Sequence, residues 1–141
     1  MNKIYLIIII LCLSATVQAQ WQRPTNYIIA IQHDMRGHLG IDVGDLNANN
    51  VYSGMQGTIP YNTTNKEYYM NYVYGYGFNI IPSNTILLTG ILGLHTNDFI
   101  ETVHFNYGCG FTVVNENKVV IGISYTNKQL FTAKIGFKFT L

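Results

Sequence analysis

Charged residues are scarce in this chain, and neither sign of charge dominates. Only 11% of the 141 residues are charged, whereas a typical soluble domain carries about 25%. Eight basic residues stand against seven acidic ones. The chain therefore lacks the basic surface that binds nucleic acid, and we expect no nucleic-acid partner. A surface with so little charge would be sticky in water, but it suits a protein whose outside faces lipid.

Cysteine is almost absent as well, which argues against two classes of site. Cys12 lies in an N-terminal segment that we expect to be removed, and Cys109 is then alone. A single cysteine forms no internal disulfide and builds no multi-cysteine zinc site. The four histidines lack a metal-binding spacing such as H-x-x-x-H, and no glycine-rich loop opens a helix. We therefore predict neither a metal nor a cofactor.

Long apolar runs are missing after the N-terminal segment, so no spanning helix is expected there. The N-terminus has a short basic region at Asn2-Lys3, an apolar stretch from Ile4 to Leu13, and a small-residue cleavage pattern at Val17-Gln18-Ala19. This apolar stretch is shorter than the roughly 20 residues that a spanning helix needs. We predict that residues 1–19 are a secretory signal peptide and that residues 20–141 form a single domain.

The chain does contain repeated alternation of apolar and polar residues, and this is the signature of strands. The C-terminal stretch is the clearest case, and its apolar residues are Phe131, Ala133, Ile135, Phe137, Phe139 and Leu141. Asn, Gly, Asp and Pro clusters separate the alternating stretches. The predicted strands are Tyr27–Met35, His38–Asp45, Val51–Ile59, Tyr68–Ile80, Ile86–His95, Phe99–Val113, Val119–Thr126 and Phe131–Leu141. The stretch Val51–Ile59 alternates least well.

A sheet enters lipid only when it closes, because lipid offers no hydrogen bonds to an open edge. We therefore predict an all-β fold, an antiparallel up-and-down transmembrane β-barrel of about eight strands. A secreted soluble barrel or sandwich in the periplasm, binding an apolar ligand inside, remains an alternative because its strands alternate too. Glycines on the polar faces, such as Gly75 and Gly108, favour a crowded lumen over a solvated surface.

Under the barrel interpretation the polar faces line the lumen. The predicted lumen network is Asp34, Asp42, His104, Asn106, Lys134 and Lys138. The first and last strands are neighbours in a closed barrel, so both aspartates share a sector with both lysines, and buried charges need such partners. An eight-stranded barrel is narrow enough for side chains to fill it. We expect a plugged lumen without an open pore.

A lipid-modifying enzyme is a further alternative. His38 or His104 would serve as a base beside Ser53 or Ser124, but no local motif marks such a pair. The predicted connections between strands are also short and leave little chain to build a substrate cleft. We therefore expect a protein that is not an enzyme.

The C-terminal sequence Lys134-Ile-Gly-Phe-Lys-Phe-Thr-Leu141, following the other alternating stretches, resembles the small eight-stranded outer-membrane barrels of the outer membrane protein A and X type. The resemblance covers about Tyr27 to Leu141. It implies an outer-membrane location after export, with both termini on the periplasmic side. It also implies that barrel-assembly machinery reads Ile135, Phe137, Phe139 and Leu141. Leu141 departs from the family, which more often ends in Phe.

The same resemblance implies that outer loops carry the contact surface. The one loop of moderate length predicted on that side is Tyr61–Glu67, and its candidate contact residues are Tyr61, Asn62, Lys66 and Glu67. The expected function is a structural or interaction role in the outer membrane. The expected partners are outer-membrane lipid and the assembly machinery, and no surface partner is identified.

Overall fold

The protein folds into eight strands with short connections. A computed structural model describes residues 26–61, 66–81, 83–97 and 102–140; the predicted signal peptide, residues 1–19, lies outside them. The strands are β1 (Asn26–Asp34), β2 (His38–Leu46), β3 (Val51–Pro60), β4 (Glu67–Ile81), β5 (Asn84–Asn97), β6 (Thr102–Asn115), β7 (Val119–Thr126) and β8 (Leu130–Phe139). None of the described residues forms a helix with the length and hydropathy needed to cross a bilayer.

The sheet is closed, and every strand is antiparallel to both neighbours. Strands pair in chain order, and β8 completes the barrel against β1. The register is followed by stepping from each residue to its partner on the next strand. A row that starts at Asn26 on β1 passes through all eight strands and returns to β1 at Asp34, eight residues further along. This shift of eight residues in an eight-stranded barrel corresponds to a strand tilt of about 36° and a narrow interior.

The alternation in sequence becomes a division between the two faces of the wall. Ile29, Ile31 and Ile41 point outward and are about half exposed, whereas their neighbours Ala30 and Gln32 are buried inside. On β6 the outward row runs from Val103 to Val113. The ten residue steps between them, at about 3.4 Å each and tilted by about 36°, give an apolar band of roughly 27 Å. A transmembrane barrel needs about 25 Å.

Charged side chains avoid the middle of the outer face within the described residues. Three are buried inside, namely Asp34, Asp42 and Lys134. The remaining described charges lie in turns or in the first or last few residues of strands: Arg36, Asp45, Lys66, Glu67, Glu116, Lys118, Lys128 and Lys138. The outer surface is therefore an uncharged belt between two polar ends.

Inward-facing glycines make room in the narrow lumen. A Cβ atom at Gly44 would lie 2.5 Å from the hydroxyl of Tyr52, and one at Gly122 would lie 2.7 Å from Cε of Lys134. Gly57 faces outward, and a Cβ there would meet nothing within 4 Å. The glycine enrichment that favoured a crowded lumen in the sequence therefore has a direct steric cause.

The interior is divided into an apolar half and a polar half. We call the end with the connections β1–β2, β3–β4, β5–β6 and β7–β8 the loop end, and the opposite one the terminal end. The apolar half lies toward the terminal end and consists of Ile28, Leu46, Tyr52, Val73, Leu87, Ile91, Val114 and Val120. The polar half lies toward the loop end. The predicted lumen of polar side chains did not include this apolar half.

Candidate functional site

The deepest charged group in the polar half is the carboxylate of Asp42, which is fully buried on β2. One of its oxygens accepts a hydrogen bond from the hydroxyl of Tyr52 at 2.7 Å. The other accepts bonds from Nζ of Lys134 at 2.6 Å and from Nε2 of Gln56 at 3.1 Å. Lys134 on β8 also lies 5.7 Å from the centre of the Tyr52 ring. This ion pair bridges β2 and β8 across β1.

A second carboxylate, Asp34, organises the loop end of β1. Its Oδ1 accepts the backbone N–H groups of Arg36 and His38, each at 2.9 Å, and so fixes the β1–β2 turn. Its Oδ2 lies 2.8 Å from Nδ1 of His38. Nε2 of His38 is buried without a hydrogen-bond partner among the described residues. Asp34 therefore fixes both the β1–β2 turn and the ring of His38 at the loop end of the lumen.

The centre of the polar half is Gln129, which the β7–β8 turn directs into the lumen. Its Oε1 accepts bonds from Nδ2 of Asn71 at 3.0 Å and from Nδ2 of Asn106 at 3.2 Å. Its Nε2 donates to Thr58 at 3.4 Å and to Asp34 at 3.5 Å. These partners come from β4, β6, β3 and β1, so one side chain spans the lumen.

A row of rings covers this layer at the loop end. The rings of His38 and Tyr69 meet edge to face at 5.1 Å between centres, and Tyr69 stacks on His95 at 4.6 Å. His95 in turn stacks on His104 at 5.9 Å. The hydroxyl of Tyr69 donates to Glu67 at 2.7 Å. The carboxylate of Glu67 is also 3.7 Å from the guanidinium of Arg36, and this contact links the β1–β2 turn to the row of rings.

The predicted lumen residues separate into two groups. Asp34, Asp42, Asn106 and Lys134 belong to the buried polar half. His104 is exposed and joins only the ring row, because it lies near the loop end of β6 rather than at mid-depth. Lys138 is half-buried near the terminal end, and its side chain takes no part in the polar network described above. The prediction that both lysines neutralise the two aspartates is therefore wrong for Lys138.

The proposed assembly and loop residues lie on the surface where they are described. Ile135 and Phe137 point outward and are 60% and 64% exposed. Phe139 is half-buried and stacks on Tyr27 at 5.7 Å. Of the predicted contact loop, Tyr61 and Lys66 are exposed and Glu67 is half-buried. Asn62 and Leu141 lie outside the described residues.

Comparison with known proteins supports the fold and goes no further. No protein-family model and no curated protein matches the chain. A solved structure described as a de novo designed transmembrane β-barrel superposes with a TM-score of 0.55. It is 10% identical in sequence, and the match covers 84% of this chain and 96% of that one. The chain therefore has the fold of a small transmembrane β-barrel.

The geometry separates one of the catalytic pairs that the sequence had suggested. His38 is buried inside the barrel, whereas Ser53 faces outward and lies 3.0 Å from the hydroxyl of Tyr72. The wall lies between the two residues, so they do not form a nucleophile and base. Within the described part of the chain, no three His, Cys, Asp or Glu residues are grouped to hold a metal ion.

Three residues that bond to the buried carboxylates and amides were not predicted from the sequence. Tyr52 and Gln56 lie on β3, the strand with the poorest alternation, and Gln129 lies between the predicted strands Val119–Thr126 and Phe131–Leu141. Tyr52 and Gln56 could have been found from the sequence, because they alternate with outward residues and share the inner face of β3 with Gly54 and Thr58. No comparable signal marked Gln129, since a turn residue has no parity.

Proposed function

We propose that this protein is a small outer-membrane β-barrel with a structural or interaction role and without an open pore. The observation that carries the proposal is the distribution of charge across the wall. The described charges are either buried inside or placed at the barrel ends, and an apolar band of roughly membrane thickness separates the ends. A sheet with this outer surface is stable in lipid and aggregation-prone in water.

The soluble alternative requires the opposite arrangement. A soluble barrel that binds an apolar ligand buries its apolar side chains and exposes its polar ones. Here Ile123, Ile135 and Phe137 are each more than half exposed, while Gln32, Asp42 and Asn106 are almost fully buried. The faces of the wall therefore support the membrane protein over the soluble carrier.

Two stacked layers support a sealed interior. The polar layer is crossed by Gln129, which bonds to four strands, and by the Asp42–Lys134 pair. Below it, toward the terminal end, the apolar side chains of Ile28, Leu87 and Val120 meet in one buried cluster. Ions do not readily cross a packed apolar layer, because it offers nothing to replace their hydration. We propose that the barrel serves as a scaffold rather than as a channel or an enzyme.

Export and assembly form the next part of the proposal. The predicted signal peptide brings the chain to the periplasm, and barrel-assembly machinery then binds the C-terminal strand. β8 closes the barrel against β1 and presents Ile135 and Phe137 outward, which is consistent with recognition before closure and lipid contact after it. The proposed partners are thus outer-membrane lipid and the assembly machinery.

The test is electrophoretic mobility of the protein in outer-membrane fractions, boiled against unboiled. A closed barrel that resists detergent migrates differently before boiling, and we expect this shift in the outer-membrane fraction. Ile123→Arg places a charge in the middle of the apolar band. Such a charge near the bilayer centre destabilises the barrel by about 2–4 kcal/mol, so we expect less of the protein to show the mobility shift. Lys128→Arg, in the β7–β8 turn, is the control and should leave it unchanged. A protein found in the soluble fraction, with no shift, would refute the proposal.

A further inference from the structure

The outer wall of β1, β2 and β3 contains a groove within the apolar band. Its volume is about 610 Å³, within the range of roughly 300–1,000 Å³ that is usual for ligand pockets. Gly57 lies in the groove, and apolar side chains line the rest: Ile31, Leu39, Ile41, Val43, Met55 and Ile59. The groove is therefore large enough to hold part of a ligand, and that part must be apolar.

The depression is deepest at Gly57, where a side chain is missing from the outer face. Gly57 pairs with Ile41 on β2, and the next outward residues on β3 are Met55 and Ile59. These three side chains are each more than half exposed, whereas a Cβ atom at Gly57 would meet nothing within 4 Å. A ligand lying over Gly57 would thus contact side chains on several sides, and the dispersion attraction of many such contacts adds up.

A polar pair lies at the loop end of the groove. His33 follows Ile31 on the outer face of β1, and its Nε2 lies 2.8 Å from the hydroxyl of Tyr61. Tyr61 lies two residues beyond Ile59, and its backbone N–H donates to the carbonyl of Gly37 at 3.2 Å. Aromatic rings with a polar tip are typical of the level of lipid headgroups. The groove is therefore apolar along its length and polar at one end.

We propose that this groove binds one acyl chain of a membrane lipid, with the lipid headgroup directed toward His33 and Tyr61. The groove is continuous with the apolar band, and the apolar molecules available at that depth of a bilayer are lipid chains. A polypeptide strand would leave backbone groups without hydrogen bonds there. The proposal rests on the proposed membrane location and goes beyond it by assigning one lipid to one place on the wall.

A second copy of the barrel fits the groove less well than a lipid chain does. Two convex barrel walls meet along a narrow line, whereas a stable protein interface buries at least about 1,000 Å² with good complementarity. An acyl chain is thin and flexible, so it can follow the groove past Gly57 and between the side chains of Ile41 and Met55. These shapes favour the lipid.

The test is native mass spectrometry of the mature protein, released from detergent micelles that contain dipalmitoylphosphatidylethanolamine. We expect a complex of one lipid with one barrel. Gly57→Ile fills the groove, and we expect it to weaken lipid binding at least about tenfold. Gly90→Ile is the matched control, because Gly90 also faces outward with space for a Cβ but lies outside the groove. Its affinity should stay within about threefold of the unmodified protein.

The position of the lipid is read with a phospholipid that carries a photoreactive diazirine near the end of one acyl chain. We expect cross-links at Val43 and Met55, on the side of the groove away from His33. Cross-links spread evenly over all eight strands, or equal lipid binding by the two glycine variants, would overturn the lipid site.

The mobility shift between boiled and unboiled samples shows for each variant that the barrel is closed. A closed barrel that retains no lipid, or that forms a dimer sensitive to Gly57→Ile in place of the lipid complex, would refute the lipid site and leave the proposed function intact. An absent shift in the unmodified protein would refute the proposed function instead.

Discussion

The Asp42–Lys134 pair offers the sharpest test of the interior, because both groups are buried and each depends on the other. The carboxylate of Asp42 is fully buried and 2.6 Å from Nζ of Lys134. Removing one partner of a buried pair leaves an uncompensated charge and costs about 3–5 kcal/mol. We therefore expect Asp42→Asn and Lys134→Met each to lower the free energy of unfolding by that amount.

The double variant should recover most of this loss. Asp42→Asn combined with Lys134→Met removes both charges of the pair, and replacing a buried pair by neutral groups of similar volume is often close to neutral. Tyr52 and Gln56 still lose their charged acceptor, so we expect a residual loss of about 1–2 kcal/mol. The double-mutant cycle then gives a large coupling energy between the two positions.

The assay is urea unfolding of the barrel in micelles. The folded fraction is measured by electrophoresis, as the fraction of the protein that migrates at the position of the unboiled form. Lys138→Met is the control, because Lys138 faces the same side of β8 but is half-buried and outside the polar network. We expect it to change stability by less than about 0.5 kcal/mol. Two single variants that each cost less than about 1 kcal/mol, with additive effects in the double variant, would contradict the buried pair.

Two further predictions concern space and hydrogen bonding in the lumen, both read by the same unfolding assay. Gly44→Ala should destabilise the barrel by about 1–3 kcal/mol, because its Cβ would meet the Tyr52 hydroxyl at 2.5 Å, whereas Gly57→Ala should be tolerated; equal effects would show that the lumen is not tightly packed. Gln129→Ala should cost about 1–3 kcal/mol, because Nδ2 of Asn71 loses its acceptor and Nδ2 of Asn106 loses one of its two acceptors; a neutral result would place Gln129 outside the lumen.

The strands were predictable because each face of the barrel wall meets a different environment, lipid outside and the lumen inside, and this difference makes the residue types alternate. β2 was expected at His38–Asp45 and spans His38–Leu46, and β7 was predicted at its observed bounds. β6 begins at Thr102, three residues after the expected start at Phe99, and Phe99 itself lies outside the described residues. Apolar residues against lipid recur at every second position in most strands, so the evidence for a barrel adds up from one strand to the next.

The interior was less predictable. Alternation along a strand predicts which face of the wall a residue lies on, but it does not predict where the residue lies along the barrel axis. Leu87 and Ile91 lie on the inner face of β5, where polar side chains were expected, and they help to build the apolar half of the lumen. His104 and Lys138 have inward parity but lie near opposite ends of the barrel, outside the buried network. The register around the barrel decides depth, and register depends on pairings between strands that no single stretch of sequence contains.

Gln129 was unpredictable for a different reason. It precedes Leu130, whose φ is 60°, a conformation that bulky residues rarely adopt. Turn prediction relies on Gly, Asn and Asp at such positions, so Leu130 does not reveal that the turn directs the side chain of Gln129 into the lumen. The cost of this backbone conformation is offset by the bonds that Gln129 makes inside the lumen.

The division of the lumen also explains why a loss of polar bonding should not produce a channel. A conducting path needs polar groups or water along the whole axis of the barrel. Truncating Gln129 removes a bridge in the loop-end half, but Ile28, Leu87 and Val120 still fill the half toward the terminal end. Desolvating an ion in such an apolar layer is far costlier than breaking one hydrogen bond. We therefore propose that the apolar half seals the barrel and that the polar half contributes mainly to its stability.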